Sequence, residues 1–126
     1  MNTPPLFLQF DSRDELLKVD LNSVICFVAK GNYTLIVSVN GLTSMVLMSL
    51  ENMYKFITPK FELAPCQFVK MGRSIIVNLN YVYRINTLNM ELTLSDQRTF
   101  SHTVTLPKEA LKRLKTLVCP DPRKAE

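Results

Sequence analysis

Arg73 and Asn32 are the side chains of this chain best suited to act on something outside it, because each falls in a break between apolar runs. Arg73 lies in FVKMGRSIIVN, residues 68–78, where Lys70, Gly72, Arg73 and Ser74 interrupt an apolar β pattern that Ile75, Ile76 and Val77 resume. A flexible Gly at such a break lets the backbone bend and hold a guanidinium out from a rigid sheet. Asn32 lies in KGNYTLI, between two further apolar runs. A guanidinium can donate two hydrogen bonds to guanine O6 and N7, and a carboxamide can do the equivalent for adenine, each pairing worth roughly 1–3 kcal/mol of discrimination. The plain alternative for the first break is a β-turn with one solvated Arg.

Other chemistry finds little support. Nucleophilic catalysis needs Ser or Cys beside a positioned base, and the single imidazole, His102, sits in an alternating strand pattern, FSHT, facing solvent or a sheet surface. There is no Gly-rich phosphate loop and no paired-carboxylate motif. Cys26, Cys66 and Cys119 are far apart, and no pair has metal-ligand spacing. Neither an enzyme nor a metal site is expected, and no cofactor or small-molecule substrate.

Charge favours a polyanionic partner. The net charge is +4, but residues 1–59 carry four basic and five acidic side chains, whereas residues 60–126 carry eleven basic and six acidic. No acidic residue stands between Glu62 and Glu91, so Lys70, Arg73 and Arg84 lack a counter-charge nearby in sequence. Ordinary solubilising charge is the alternative, with acids from elsewhere folding alongside.

The elements that must position these residues are mainly strands. Residues 6–10 and 15–19 read as a hairpin, 20–23 as a polar turn, and 24–29 as a central strand because the run VICFVA is apolar on both faces. Residues 33–39 and 42–47 form a second hairpin around Asn40-Gly41, whose tolerance of positive φ predicts a type I′ turn. Ser49 caps a helix with Leu50, Met53, Tyr54 and Ile57 on one face, stopped by Thr58-Pro59. An irregular connection, 61–66, leads to the broken run 68–78. A strand at 81–85 then opens a meander in which 90–94 pairs with 98–104 around residues 95–97. Pro107 opens a last helix with Ala110, Leu111, Leu114, Leu117 and Val118 on its apolar face. This predicts a mainly β domain of eight or nine strands in small antiparallel sheets, with two short helices, the last at the C-terminus. It should form one compact unit over residues 6–118, between a flexible tail at 1–5 and a charged tail at 119–126.

The pattern F-x-K-x-x-R-S-x-x-V-N from Phe68 to Asn78, followed by Tyr-Val and an Ile, resembles the signature of the LytTR family of bacterial DNA-binding domains. GNYTLI at 31–36 and LKRL at 111–114 stand in the expected order, so the resemblance spans about residues 7–118. It implies small antiparallel sheets rather than a helix-turn-helix, and a cytoplasmic bacterial transcriptional regulator that reads the DNA major groove from inter-strand loops and the start of the last helix. Carried over, the DNA contacts are Asn32 and Tyr33, then Lys70 and Arg73, then Lys108. Members often have His where Gly72 stands, so no base contact is expected there. Many open the last helix with Ser-Arg where this chain has Pro107-Lys108, so Lys108 is assigned to phosphate as a point charge. Lys108 also opposes the helix macrodipole unless an anion sits beside it.

Ser74 and Asn78 match signature positions but read as structural, Ser74 bonding the backbone of the bend and Asn78 fixing the turn after the Ile-Ile-Val strand. Tyr33 has the alternative of packing on a sheet edge, and Lys30 and Arg84 read as solvated charges. The family implies double-stranded DNA with repeated half-sites as partner, with two copies, or a homodimer, on a natural site. Members commonly follow a phosphoacceptor receiver domain, for which this length leaves no room, so control is expected through abundance, a partner or truncation of a longer regulator. The competing reading is a β-rich protein-interaction module with an apolar patch from Phe7, Phe56, Phe61 and Phe68. Retention on heparin that falls with salt separates DNA binding from salt-insensitive self-association. No apolar run reaches the roughly 18 residues of a membrane helix, the N-terminus lacks a signal-peptide pattern, and the scattered cysteines suit a reducing compartment.

Overall fold

A computed structural model describes residues 6–62 and 68–118 of the chain. The strands are β1 (Phe7–Asp11), β2 (Leu16–Asp20), β3 (Val24–Lys30), β4 (Tyr33–Ser38), β5 (Thr43–Val46), β6 (Phe68–Met71), β7 (Ile75–Asn78), β8 (Val82–Asn86), β9 (Glu91–Ser95) and β10 (Ser101–Thr105). The α-helices are α1 (Leu50–Ile57) and α2 (Lys108–Val118). The mainly β class, the antiparallel sheets and the two helices follow the sequence expectation. The described chain divides into two compact units, the first ending at Asn80 and the second beginning at Tyr81.

In the first unit β1 and β2 form a two-stranded sheet, and the other strands form a five-stranded sheet ordered β5-β4-β3-β7-β6. β3 is central, as its doubly apolar sequence requires. Val24, Ile25, Cys26 and Phe27 are all buried, so neither face of the first part of this strand meets water. On one face Val24, Phe27, Ile36 and Ile76 pack with Leu8 and Val19 of the small sheet and with Leu50, Met53 and Ile57 of α1. Aromatic contacts reinforce this core, Phe27 against Phe68 at 5.6 Å and Phe10 against Phe56 at 5.3 Å between ring centres. Helix α1 begins where the sequence places it, with Ser49 Oγ accepting from the Asn52 N–H at 3.2 Å. The α-helix ends at Ile57, yet Thr58-Pro59 does not stop helical winding, which continues as a 3-10 helix at Thr58–Glu62. Pro fits the opening of such a segment because its fixed φ suits it and its missing N–H breaks no bond there.

The Asn40-Gly41 hairpin corrects a second expectation. Gly41 has φ +85°, but Asn40 is not among the residues with positive φ, which excludes a type I′ turn. The loop has three residues, 39–41, closed by Ser38 N–H to Leu42 O at 2.9 Å and Gly41 N–H to Ser38 O at 3.0 Å. Val39 donates instead to Ser23 O at 2.9 Å, which draws it out of β4 and lengthens the loop by one residue.

The second unit holds the meander, ordered β10-β9-β8. It buries Leu92 and Leu94 from β9, and Leu106, Ala110, Leu111 and Leu114 at and along α2. Leu117 and Val118, expected on the same apolar face, are instead exposed. The connection from β9 to β10 is also longer than expected, with β10 starting at Ser101. The cause is Asp96, whose Oδ1 accepts from the backbone N–H groups of Arg98, Thr99 and Phe100 at 2.9, 2.8 and 3.2 Å. A carboxylate that gathers three successive amides holds them out of a ladder.

Candidate nucleic-acid interface

The register of the five-stranded sheet decides which loops meet. β3 and β4 pair as Ala29↔Thr34 and Lys30↔Tyr33, leaving Gly31 and Asn32 as a two-residue hairpin loop. Gly31 has φ +65° and Asn32 does not share it, the pattern of a type II′ turn with Gly first. β7 runs antiparallel to β3 with Val28↔Ile75, and β6 pairs with β7 through Met71↔Ile75. The bend 72–74, with Gly72 at φ +63°, therefore lies at the same end of the sheet as Gly31 and Asn32. A backbone bond from Ala29 N–H to Ser74 O, 2.9 Å, ties the second turn to β3. Two neighbouring hairpins thus end side by side, their midlines about 10 Å apart at two strand spacings.

This end carries four of the five sequence-assigned residues. Asn32 and Arg73 are exposed, and among the described residues neither side chain has a hydrogen-bond or ion-pair partner. Lys70, on edge strand β6, donates from Nζ to the Gly72 carbonyl at 2.6 Å, bracing the bend while its charge stays at the exposed end. Tyr33 is 45% exposed, so it is not packed away as a core residue. Lys30, read from sequence as a plain solvated charge, pairs with Tyr33 and is exposed at the same end. Its only sequence signal is that it flanks the Gly-Asn loop. The described ion pairs are Arg13–Asp14, Lys55–Glu51 and Lys112–Glu109, so none covers Lys30, Lys70 or Arg73.

The two signature residues read as structural play those parts. Ser74 Oγ reaches the Met71 carbonyl at 3.5 Å, a long bond across the bend. Asn78 is 1% exposed; its Nδ2 donates to Val24 O and its Oδ1 accepts from the Asn80 N–H, both at 2.9 Å. One buried carboxamide therefore joins the end of β7 to the start of β3 and shapes the exit from the sheet.

In the second unit Lys108 is the first residue of α2 and is exposed. The helix opens with Leu111 N–H bonded to Pro107 O at 3.1 Å. Glu109 lies in this first turn and meets Lys112 at 4.0 Å. Lys108 has no ion-pair partner among the described residues. His102 is half-buried on β10 opposite Leu94.

Among the described residues no group of three or more His, Cys, Asp or Glu could hold a metal, and no helix is long and apolar enough to cross a membrane. Burial pushes the Cys26 thiol up to about 12, so it stays protonated and is a poor nucleophile or ligand. Cys66 and Cys119, like the tails at 1–5 and 119–126, lie outside the described residues. Of the four phenylalanines expected in an exposed patch, Phe68 is buried, whereas Phe7, with the Lys18 ammonium 4.4 Å above its ring, and Phe56 are exposed, and the Phe61 side chain is outside what is described.

A small antiparallel β scaffold that presents exposed amide and cationic groups at loop ends suits a polyanionic partner. A family model for the LytTr DNA-binding domain matches residues 14–118, most of the chain. The chain belongs to the LytTr DNA-binding domain family, and double-stranded DNA is its partner class. A solved structure of a LytTr DNA-binding domain from Bacillus cereus is similar, with a TM-score of 0.60 and 21% identity. The match covers 90% of this chain and 96% of that one, and supports the same fold. No curated protein matches the chain.

Proposed function

We propose that the chain is a cytoplasmic bacterial transcriptional regulator that reads the major groove with the paired hairpin turns of its first unit and anchors phosphate with the start of α2. The observation that carries this reading is that Asn32 and Arg73, separated by about 40 residues of sequence, share one sheet end with both side chains unspent. A major groove about 12 Å wide admits a two-stranded ribbon, and two turns about 10 Å apart match that scale. Arg73 is the guanine reader and Asn32 the adenine reader. Tyr33 supplies apolar contact, while Lys70 and Lys30 meet phosphates flanking the groove. Lys108 takes a phosphate that also relieves its conflict with the helix dipole. Two copies on repeated half-sites would double this small footprint.

Selection from randomised duplexes at one stated salt concentration tests the base-reading assignment. Wild type should return a defined motif, and Arg73→Ala a motif relaxed at one base pair by roughly 1–3 kcal/mol of discrimination. Identical motifs from the two proteins would remove Arg73 from base reading.

A further inference from the structure

The first unit carries a second feature, which adjoins the DNA-reading end only through Tyr33. A groove of about 500 Å³ runs beside β5, floored by Phe10, Met45, Leu47 and Phe56 and bordered by Asp11 and Glu15. β5 is an outer strand of the five-stranded sheet, paired on one side with β4 and open on the other. Ser38 and Leu42 form a hydrogen-bonded pair, so by alternation the next such pairs are Ile36↔Ser44 and Thr34↔Val46. The backbone groups of Thr43 and Met45 therefore point away from β4, toward the open side.

Outer strands are ordinarily protected by charge, Pro or a bulge. The opposite outer strand, β6, carries Lys70. Residues 42–48, LTSMVLM, contain no charge and no Pro, and Leu42, Met45 and Leu47 are each more than half exposed. The two carboxylates at the rim are unspent as well. Arg13 meets Asp14 at 3.9 Å, and Asp11 and Glu15 have no ion-pair partner among the described residues.

We propose that this groove captures an extended segment of a partner protein, alternating apolar residues with Lys or Arg, which adds as a strand to β5. Thr43 and Met45 supply the backbone bonds, the apolar floor receives alternate side chains, and Asp11 and Glu15 select the cations. A second copy of this chain fits less well. An isologous edge-to-edge pairing would bring a second uncharged β5 with no cation for the carboxylates, and its own Asp11 and Glu15 besides. Tyr33 lines the groove and follows Asn32, so the captured segment would lie beside a residue of the DNA-reading end.

Panning a phage-displayed random peptide library on the full chain tests this without DNA. The expected consensus alternates β-branched or aromatic residues with Lys or Arg. The synthesised consensus peptide should shift the Thr43 and Met45 amide resonances most. Met45→Pro removes an outward N–H but no bond to β4, and should weaken the peptide about tenfold or more. If that variant does not fold, the double change Asp11→Asn with Glu15→Gln carries the test, with weaker and less salt-dependent binding expected. The proposal is overturned by a library that enriches nothing or an acidic consensus, by shifts centred away from β5, by equal binding to folded variants, or by Met45 amide protection that grows with protein concentration alone.

Discussion

The two ends of the five-stranded sheet use the same residue types in opposite ways. At the end formed by the starts of β3 and β7's exit, polar side chains are consumed by backbone. Asn78 bridges Val24 O and Asn80 N–H, Asn40 Oδ1 accepts from Leu42 N–H at 3.2 Å, and Asp20 accepts from Asn22 N–H at 3.0 Å and Ser23 Oγ at 3.3 Å. At the other end Asn32 and Arg73 satisfy nothing among the described residues. An Asn whose hydrogen bonds are spent locally holds a fold, and one whose bonds are unspent is available to a ligand. The contrast teaches that residue type alone does not mark a reading residue; the state of its hydrogen bonds does.

The largest expected effect tests the consumed end. Asn78→Ala leaves Val24 O and the Asn80 N–H without their partner at a nearly closed site, and should cost about 2–4 kcal/mol in urea unfolding. A loss below about 1 kcal/mol would mean that water or a neighbour replaces those bonds, and the contrast would weaken.

Asn32→Ala is the matching test of the open end. Stability should stay within about 0.5 kcal/mol of wild type, while selected duplexes lose roughly 1–3 kcal/mol of preference at one base pair. Marked destabilisation with an unchanged motif would place Asn32 with Asn78 as a structural residue. A smaller effect is expected at Lys108. Its change to Ala should weaken all duplexes about equally and lower the magnitude of the salt slope by about 0.9, read from binding across a salt series.

The smallest effect extends the comparison to the second unit. The Thr99 hydroxyl at 2.6 Å, with the Thr99 N–H, holds the Asp96 carboxyl well below the usual carboxylate range. A depressed folded value means that this contribution to stability is complete above the unfolded carboxylate pKa of about 3.9. It disappears as pH falls toward the folded value. Asp96→Ala should therefore lower Tm at neutral pH, and the gap from wild type should narrow only below about pH 4. A gap that does not change in acid would separate Asp96 from the residues whose charge is tied to backbone amides.

Much of the scaffold was readable one segment at a time. The doubly apolar VICFVA run declared a central strand, Ser49 declared its helix, Ser74 declared a bond within its bend, and Asn78 declared its turn bond to the Asn80 N–H, though not the one to Val24 O. Two of the misreadings share one cause, a competing partner outside the local pattern. Val39 bonds Ser23 and so opens the Asn40-Gly41 turn to three residues, and Asp96 gathers three amides and delays β10. The division at Asn80 had no composition signal, because the short 3-10 turn Leu79–Tyr81 there looks like any other connection.

Which residues carry the relevant groups, and that they fall in interruptions of strands, follows from local chain chemistry, since apolar alternation and glycine-bearing breaks are properties of short segments. That Asn32 and Arg73 share one end of one sheet was decided only by the antiparallel register of β3 with β7. Such pairing depends on side-chain packing between segments some 40 residues apart, and a one-residue slip would turn every side chain of a strand to the opposite face.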